Sequence, residues 1–259
     1  YAIIPMFSFL NKFINNYGLI ILILTLVIKL VLFPLTYRSY ISMAKMRALK
    51  PEIDAINEKI PKEKSMERQQ ATMALYKKAG VSPLGGCLPV ILQMPILIAM
   101  FRFFPTSIEL RQQQFLWAHD LSTYDSILDL PFTIPMYGDH VSLFTLLMTA
   151  STILTMKISS QANMSQSQMP GMKGMMYIMP VMFMFMLNSW SSALTYYYFL
   201  ANIITFGQNQ ISKQFVDEEA LRKKLHSNQK KSSAKKQSSF QKRLEDMAKQ
   251  RGYNPPKKK

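Results

Sequence analysis

The stretch YGLIILILTLVIKLVLFPLT, residues Tyr17 to Thr36, decides how the rest of the chain is interpreted. It is long enough to cross a bilayer as one α-helix, and its single charged residue is Lys29. A lysine at that depth costs about 3 kcal/mol even on lenient insertion scales, so it usually faces a polar cavity and has a function. Arg38, the next charge, lies about 13 Å further along a helix, so the side chain of Lys29 cannot extend fully to the surface.

No acidic residue accompanies Lys29 in the apolar parts of the chain. Asp and Glu are absent before Glu52, between Val81 and Ile108, and between Val141 and Val216, which together contain every membrane-like segment. If Lys29 is charged, we expect its partner to be water or a group that arrives from outside the chain. The alternative is a lysine that is partly neutral and extends part of the way toward the membrane surface.

Hydrophobic residues make up 49% of the 259 residues, although the net charge is +16. The two properties are segregated along the chain, which predicts an all-α polytopic membrane protein. Five charge-poor runs predict transmembrane helices: residues 17–37, 84–104, 141–157, 174–190 and 191–211. The last two are so close in sequence that we expect a tight antiparallel hairpin. Residues 1–16 are amphipathic, which is typical of a helix that lies in the membrane interface.

The distribution of charge predicts the orientation of these helices. Residues 38–80 contain ten Lys or Arg against five acids, and the chain from Ser212 contains fifteen against five. Residues 105–140 reverse this balance, with Arg111 against five acids. The positive-inside rule places the first two segments in the cytoplasm and the third outside, so the N-terminus is outside and the C-terminus inside.

Residues 38–83 are predicted to form a cytoplasmic helical hairpin, because apolar residues recur at spacings of three and four. The first arm carries Met46, Leu49, Ile53, Ile56 and Ile60, and the second carries Met66, Met73 and Tyr76. Pro51 is expected to kink the first arm or to mark its restart.

The remaining segments are polar. The outer segment, residues 105–140, contains an amphipathic stretch from Ile108 to Ser122 that predicts an interfacial helix. Residues 158–173 are expected to form a cytoplasmic loop, and residues 212–259 a basic disordered tail with a transient helix around Gln241 to Lys249. Such a tail can bind anionic lipid or the phosphates of RNA, and composition does not choose between them.

Polar residues recur within the predicted spans at helical spacing. Thr25 lies four residues before Lys29 and therefore on the same face. Gln93 adds an amide to the second span, and the last span carries a polar stripe. The stripe consists of Tyr198, Asn202, Thr205 and Asn209. Such residues often only hydrogen-bond a neighbouring helix, but together with Lys29 they predict the walls of a hydrated groove.

Motifs for catalysis are missing from the sequence. The histidines, His119, His140 and His226, lie outside the spans without the spacing of metal ligands, and Cys87 is the only cysteine. No HExxH, GxSxG or glycine-rich phosphate loop occurs. We therefore expect no enzyme, no metal ion and no cofactor.

Five stretches resemble the YidC family of membrane protein insertases, which is bacterial with mitochondrial and chloroplast relatives. They are TLVIKLVLFPLT (Thr25 to Thr36), SMAKMRALKPEI (Ser42 to Ile53), MALYKKAGVSPLGGCLPVILQMPI (Met73 to Ile96), ELRQQQFLWAHDLS (Glu109 to Ser122) and ALTYYYFLANIIT (Ala193 to Thr205). The resemblance covers the core region of the family, and the block GGCLPVILQMPI is highly specific to it. The chain begins with Tyr1 rather than Met, which agrees with a fragment or processed product.

The resemblance implies a groove that is open to the cytoplasm and the lipid but closed on the outer side. The family's positive residue in the first span is usually arginine. It corresponds here to Lys29, which keeps the charge but loses the planar, two-point grip on a carboxylate. The threonine four residues earlier corresponds to Thr25, and a substrate-facing tyrosine pair corresponds to Tyr197 and Tyr198.

The implied function is that of an insertase and chaperone in the bacterial inner membrane, with Lys29 attracting a polar or acidic segment of a nascent membrane protein. Ribosomes, targeting factors, the lipid bilayer and the Sec translocon are the other expected partners. Ribosome or rRNA contact is expected at the lysines of the tail, Lys223, Lys224, Lys230, Lys231, Lys235 and Lys236. The alternatives are a small-solute (anion) transporter or channel, although the spans show no inverted repeat, and a membrane-tethered RNA-binding protein, which leaves Lys29 unexplained.

Overall fold

The structure, a computed structural model, describes residues 3–61, 63–82, 85, 88–160 and 172–234. In these ranges the chain forms helices and one two-stranded antiparallel sheet. The helices are α1 (Ile3–Asn11), α2 (Tyr17–Ala48), α3 (Lys50–Lys59), α4 (Ser65–Ala79), α5 (Leu88–Thr106), α6 (Leu143–Ser160), α7 (Met172–Leu187), α8 (Ser192–Gln214) and α9 (Glu218–Ala234). The strands are β1 (Leu128–Ile134) and β2 (Gly138–Val141). The fold is mostly helical, as predicted, and the short two-stranded sheet is an element that the sequence analysis did not predict.

Helix α2 is the longest element among the described residues, and it continues past Tyr37, where the first span was predicted to end. Asn16 caps it, because its side-chain oxygen accepts a hydrogen bond of 3.1 Å from the backbone N–H of Leu19. By length and composition, α2 is the one helix in the described part of the chain that could cross a membrane. Shorter apolar stretches are Ile91–Thr106, Leu143–Ile158 and Tyr177–Leu187. The count of five spans and their orientation therefore stay predictions.

The largest apolar core lies where α8 packs against α2, α5 and α6. Its fully buried members include Phe7, Ile20, Ile21, Leu24, Met100, Phe104, Leu110, Leu121, Ala193, Leu194 and Tyr197. Helix α7 ends at Leu187 and α8 begins at Ser192, so the connection is as short as expected. However, α7 packs chiefly against α6. The prediction that α7 and α8 pair as a tight antiparallel hairpin is therefore wrong, since each of the two helices packs chiefly against α6.

The outer segment contains no interfacial helix from Ile108 to Ser122. A single 3₁₀ turn, Ile108–Leu110, is followed by Gln112 and Leu116 with φ of 60° and 53°. These values lie in the left-handed region, which ends a right-handed helix. The prediction was wrong because the amphipathic pattern belongs to an irregular loop that buries Leu110, Ala118 and Leu121 and leaves Ile108 and Leu116 exposed.

Phe115 is the residue through which this loop packs between two helices. It exchanges two backbone hydrogen bonds with Ala118, of 2.9 and 3.0 Å, which close a tight turn. The ring of Phe115 lies so close to α2 that a Cβ atom added to Gly18 would overlap with it. On its other side the ring centroid is 5.0 Å from that of Tyr196 on α8. The loop therefore inserts an aromatic ring between two helices, and glycine at position 18 makes room for it.

The hairpin predicted for residues 38–83 consists of the end of α2 with α3 and α4. Pro51 lies in the first turn of α3, where a proline is tolerated because its missing N–H would have no partner. Met46, Leu49 and Ile53 of the predicted first arm are buried. The second arm differs: Tyr76 is buried, but Met66 and Met73 are 65% and 46% exposed. Thr72 and Ala79 take their places in the interior.

As far as Ala234, the chain after Ser212 is mostly helical and not the disordered tail that its composition predicted. Helix α8 continues to Gln214, and α9 packs against α2 and α4. Asp217 caps α9 by accepting hydrogen bonds from the backbone N–H groups of Glu219 and Ala220, of 2.9 and 3.1 Å. Residues 235–259, with the transient helix expected near Gln241, lie outside the described residues.

Leu225 anchors α9 to the hairpin. Its side chain is 3% exposed and belongs to a cluster with Leu49, Ile53 and Tyr76. His226 adds a polar contact, since its Nε2 lies 3.3 Å from Oε1 of Glu52. Composition did not predict this docking, because Leu225 is one buried apolar residue in a helix whose sequence is mostly polar.

Replacing Leu225 with Ala should release α9 from the hairpin. Truncating a buried leucine costs about 2–5 kcal/mol, and the rest of α9 contributes mainly polar contacts. Hydrogen–deuterium exchange should become faster at the backbone amides of α9. The matched control is Lys224→Ala, at the exposed neighbouring position, which should leave exchange unchanged. Equal exchange rates for the two variants would contradict this docking.

Candidate functional site

Lys29 lies between α2, α5 and α8 and is 8% exposed. Its Nζ donates hydrogen bonds to Oε1 of Gln93 on α5, over 3.3 Å, and to Oγ1 of Thr205 on α8, over 3.1 Å. Both partners are uncharged. Among the described residues, the hydrogen bonds of Nζ therefore agree with the expectation that no acid accompanies Lys29. The expectation that only water or an outside group would serve Lys29 is wrong, because two neutral oxygen atoms of the chain do so.

Both acceptors are themselves oriented by further hydrogen bonds. Thr205 donates its hydroxyl hydrogen to the carbonyl of Ala201 over 2.7 Å, which leaves its lone pairs for the ammonium group. Gln93 donates from Nε2 to the hydroxyl of Tyr197 over 3.2 Å, so its Oε1 is the atom that faces Lys29. Residues that are far apart in sequence thus form one polar cluster around Lys29.

Gln208 belongs to this cluster and was missed by the sequence analysis. Its Nε2 donates a hydrogen bond of 2.9 Å to the backbone carbonyl of Lys29. The polar stripe on the last span included Asn209, whereas Gln208 lies three residues after Thr205 and therefore on the same side of α8. That spacing was the signal that could have found it.

Two other predicted groove residues lie near the cluster without joining its hydrogen bonds. Thr25 is fully buried and donates to its own helix, at the carbonyl of Ile21, over 2.6 Å. Tyr198 is partly buried, and its ring centroid is 5.8 Å from that of Tyr197. Their assignment to the groove stays a prediction.

Asn202 connects α8 to a different neighbour. Its Nδ2 donates to the hydroxyl oxygens of Ser151 and Thr152 on α6, over 3.1 and 2.8 Å. The predicted stripe on α8 is therefore divided: Thr205 faces Lys29, and Asn202 ties α8 to α6.

Burial along α2 changes at Lys29. The core-facing residues before it have no exposed area, namely Ile20, Ile21, Leu24 and Thr25. The residues on the same face after it, Leu32, Phe33 and Thr36, are partly exposed. Helix α8 repeats the change, because residues 192–197 are buried and none from 202 to 211 is. The polar cluster is therefore covered by packed side chains toward the start of α2 and less covered toward the hairpin.

Asp125 holds the outer loop against the end of the core where packed side chains cover the polar cluster. Its carboxylate accepts hydrogen bonds from the backbone N–H groups of Leu143 and Phe144, of 2.9 and 3.1 Å, at the start of α6. Such groups have no partner within their own helix, and a negative charge is favoured there. Nε1 of Trp117 donates to the same carboxylate over 2.9 Å. Asp125 thereby joins the loop to α6, and it is only 1% exposed.

The same loop covers the start of α8. The backbone N–H groups of Ser192 and Ala193 donate to the carbonyls of Thr123 and Leu121, over 2.6 and 3.1 Å. The loop thus closes the helix core at the end opposite to the hairpin.

The lysines expected to contact the ribosome lie on α9 or beyond it. Lys223 and Lys224 are exposed on the helix. The backbone of Lys230 and Lys231 belongs to α9, whereas Lys235 and Lys236 lie outside the described residues. No group of three or more His, Cys, Asp or Glu that could hold a metal ion occurs in the described ranges.

A long apolar helix, a helical core and an internal lysine with neutral partners define this chain as a mostly helical protein with an internal polar site. Residues 9–219 match the family model of the 60Kd inner membrane protein, and the chain belongs to that family.

Relatives in this family are named as insertases. The chain is 54% identical over 252 residues to the membrane protein insertase YidC of Parabacteroides distasonis, which covers 95% of this chain and 40% of that protein. It is 53% identical over 259 residues to the protein of the same name from Amoebophilus asiaticus, which covers 100% and 43%. The chain spans about two fifths of the length of these relatives.

A solved structure has the same fold. It is an active YidC insertase crystallised with its first transmembrane domain resolved, and the TM-score is 0.57 at 27% identity, over 80% of this chain and 44% of that one. The resemblance to YidC insertases is therefore confirmed, and with it, at the level of the family, the expectation that the protein is not an enzyme.

Replacing Asp125 with Ala should destabilise the fold. The N–H groups of Leu143, Phe144 and Trp117 would be left without their acceptor, and each unsatisfied buried group costs about 1–3 kcal/mol. The thermal unfolding temperature of the purified protein in detergent should fall clearly. Asp129→Ala is the matched control, because that carboxylate is exposed and accepts a hydrogen bond from the Ser126 hydroxyl. Equal unfolding temperatures for the two variants would show that Asp125 does not hold the loop.

Proposed function

We propose that this chain is the core of a membrane protein insertase, with a hydrophilic groove that opens to the cytoplasm and to lipid. Helices α2, α5, α6, α7 and α8 would be the five spans in the bacterial inner membrane, with the N-terminus outside and the C-terminus inside. The change in burial at Lys29 carries the proposal, because a polar cluster covered on one side is a recess rather than a pore. The names of the relatives support the same function.

Lys29 would attract the polar or acidic segment of a nascent membrane protein. Its ammonium group has three N–H donors, and Gln93 and Thr205 accept from it with neutral oxygen atoms. Neutral acceptors orient the charge without cancelling it. A carboxylate that takes the remaining position gains a charge-assisted hydrogen bond, which is roughly twice as strong as a neutral one.

The groove would shorten the apolar distance that a polar segment must cross. Burial of the substrate's apolar helix contributes about 25 cal/mol per Å², and the membrane potential adds about 2.3 kcal/mol per charge per 100 mV. The exposed Leu30 and Val31 follow directly after Lys29 on α2, and the exposed Leu35 lies about one helical turn after Val31. They offer an apolar surface along which the hydrophobic segment can move into lipid while its polar part occupies the groove.

Helix α9 would receive the ribosome on the cytoplasmic side. Its docking through Leu225 places the exposed Lys223 and Lys224 beside the hairpin. Lysine side chains bind RNA phosphates by releasing counterions, which makes such contacts sensitive to salt. Targeting factors and the Sec translocon are further proposed partners.

An anion transporter or channel is the competing function, and it needs a path that opens to both sides. The fully buried side chains between Lys29 and the start of α2 argue against such a path. Flux of a small anion through vesicles that contain the purified protein would favour it.

Replacing Lys29 should reduce insertion of a single-span substrate with an acidic outer tail. Loss of a hydrogen bond to a charged group costs about 1.5–3 kcal/mol, so Lys29→Ala should slow insertion about tenfold or more, and Lys29→Glu should slow it further by repulsion. Lys29→Arg should retain activity because it keeps the charge. The measurement is protease protection of the substrate tail in reconstituted vesicles.

A substrate with a neutral tail is the control, and it should depend much less on residue 29. Full activity of Lys29→Glu with the acidic substrate would refute an attractive charge. Wild-type activity of Lys29→Ala would reduce Lys29 to a residue that hydrates the recess.

Reversing the charge of α9 with Lys223→Glu and Lys224→Glu should weaken ribosome binding. The salt dependence of binding should also become shallower, by a slope of about 0.7–0.9 for each phosphate that is no longer neutralised. Sedimentation of ribosomes with the protein in detergent, over a series of salt concentrations, measures both effects. Insertion of a ribosome-independent substrate should persist, and unchanged ribosome binding would exclude these lysines.

A further inference from the structure

Helix α8 holds Lys29 at two separate points. Thr205 accepts from its ammonium group over 3.1 Å, and Gln208 donates to its backbone carbonyl over 2.9 Å. The two residues are three apart on α8 and so project toward the same neighbour. The contact with the ammonium group belongs to the polar cluster, but the contact with the carbonyl has no part in the mechanism described above.

The position of this carbonyl explains why it can accept a side chain. Pro34 lies within α2 five residues after Lys29. Proline provides no N–H for the carbonyl four residues before it, that of Leu30, and its ring displaces that part of the preceding turn. Backbone carbonyls next to such a proline are accessible to polar groups of other helices. The carbonyl of Lys29 lies directly before that of Leu30, next to the part of the turn that the proline affects. Pro34 does not remove its helical donor, the N–H of Phe33, and its second lone pair accepts from Gln208.

We propose that Gln208 is a positioning residue for Lys29, which fixes the charged turn of α2 against α8 so that the ammonium group stays between Gln93 and Thr205. The inference rests on the proposed function, because the benefit is a charge held at one place in the recess. Without the amide of Gln208, the turn before Pro34 can shift relative to α8, and Lys29 then meets Thr205 and an incoming carboxylate less often.

A double-mutant cycle separates positioning from general stability. Gln208→Met keeps the length of the side chain and removes its polar atoms. It should slow insertion of the acidic-tailed substrate about two- to tenfold, the range expected for removal of one hydrogen bond. In a Lys29→Ala background the same change should have no further effect, because residues that act through one interaction are not additive. Gln210→Met, at an exposed position on α8, is the matched control and should be neutral in both backgrounds.

A second measurement reads the position of the turn without any substrate. Lys29→Cys is made in a Cys87→Ser chain, and its rate of reaction with a neutral, water-soluble maleimide is compared with and without Gln208→Met. The rate should change about two- to tenfold with Gln208→Met, again the effect of one hydrogen bond, and should not change with Gln210→Met.

The outcomes distinguish this inference from the proposed function. If Lys29→Ala inserts like the wild type, the proposed role of the charge fails, and the labelling rate alone decides whether Gln208 sets the turn. If Gln208→Met slows insertion equally with and without Lys29, Gln208 has only a structural role and the inference is overturned. An unchanged labelling rate overturns it as well.

Discussion

A buried ammonium group is stable only where oxygen atoms are held in position to accept its hydrogen bonds. In this protein, three packed helices bring such oxygen atoms to Lys29. Gln93 on α5 and Thr205 on α8 supply the two acceptors of Lys29. Each is oriented by a second hydrogen bond, to Tyr197 and Ala201 respectively. Because the apolar segments contain no carboxylate, the charge is oriented but not neutralised. A paired lysine would be satisfied by its own chain, whereas this one keeps the capacity to attract a group with negative charge.

A loop with little regular structure closes the end of the core opposite to the hairpin. Its conformation places hydrogen-bond acceptors at the starts of two helices. The first N–H groups of α6 and α8 have no partners within their helices. Asp125 accepts from the start of α6, and the carbonyls of Leu121 and Thr123 accept from the start of α8. A regular interfacial helix could not serve both places, since its carbonyls would be used internally. The same loop therefore both closes the core and caps the two helices.

The cytoplasmic part of the proposed topology includes a helix, α9, that packs on the hairpin. Leu225 joins α9 to the hairpin in a chain segment whose composition is that of a disordered tail. The hairpin is continuous with α2, the helix that carries Lys29. A partner that binds the exposed face of α9 would therefore act on an element connected to the recess through one helix.

Much of the site could be predicted from local patterns. A charge in a long apolar helix identified Lys29, and helical spacing identified Thr205, because both signals depend only on neighbouring residues. Spacing alone could not tell which stripe residues meet Lys29. Asn202 and Thr205 are three residues apart, yet they bond to α6 and to Lys29, because the two partner helices lie against slightly different faces of α8. The family motifs identified Tyr197, while the structure gave its link to Gln93.

Composition and residue order were enough to establish that apolar and basic segments alternate, that Lys29 has no acid near it in the membrane-like segments, and that the chain resembles YidC insertases. These properties do not depend on folding. The packed chain was needed to show that Gln208 binds the backbone of Lys29, that residues 108–122 form a loop and that α9 docks on the hairpin. Each of these depends on hydrogen bonds or packing between residues far apart in the chain, and their local patterns are compatible with more than one conformation.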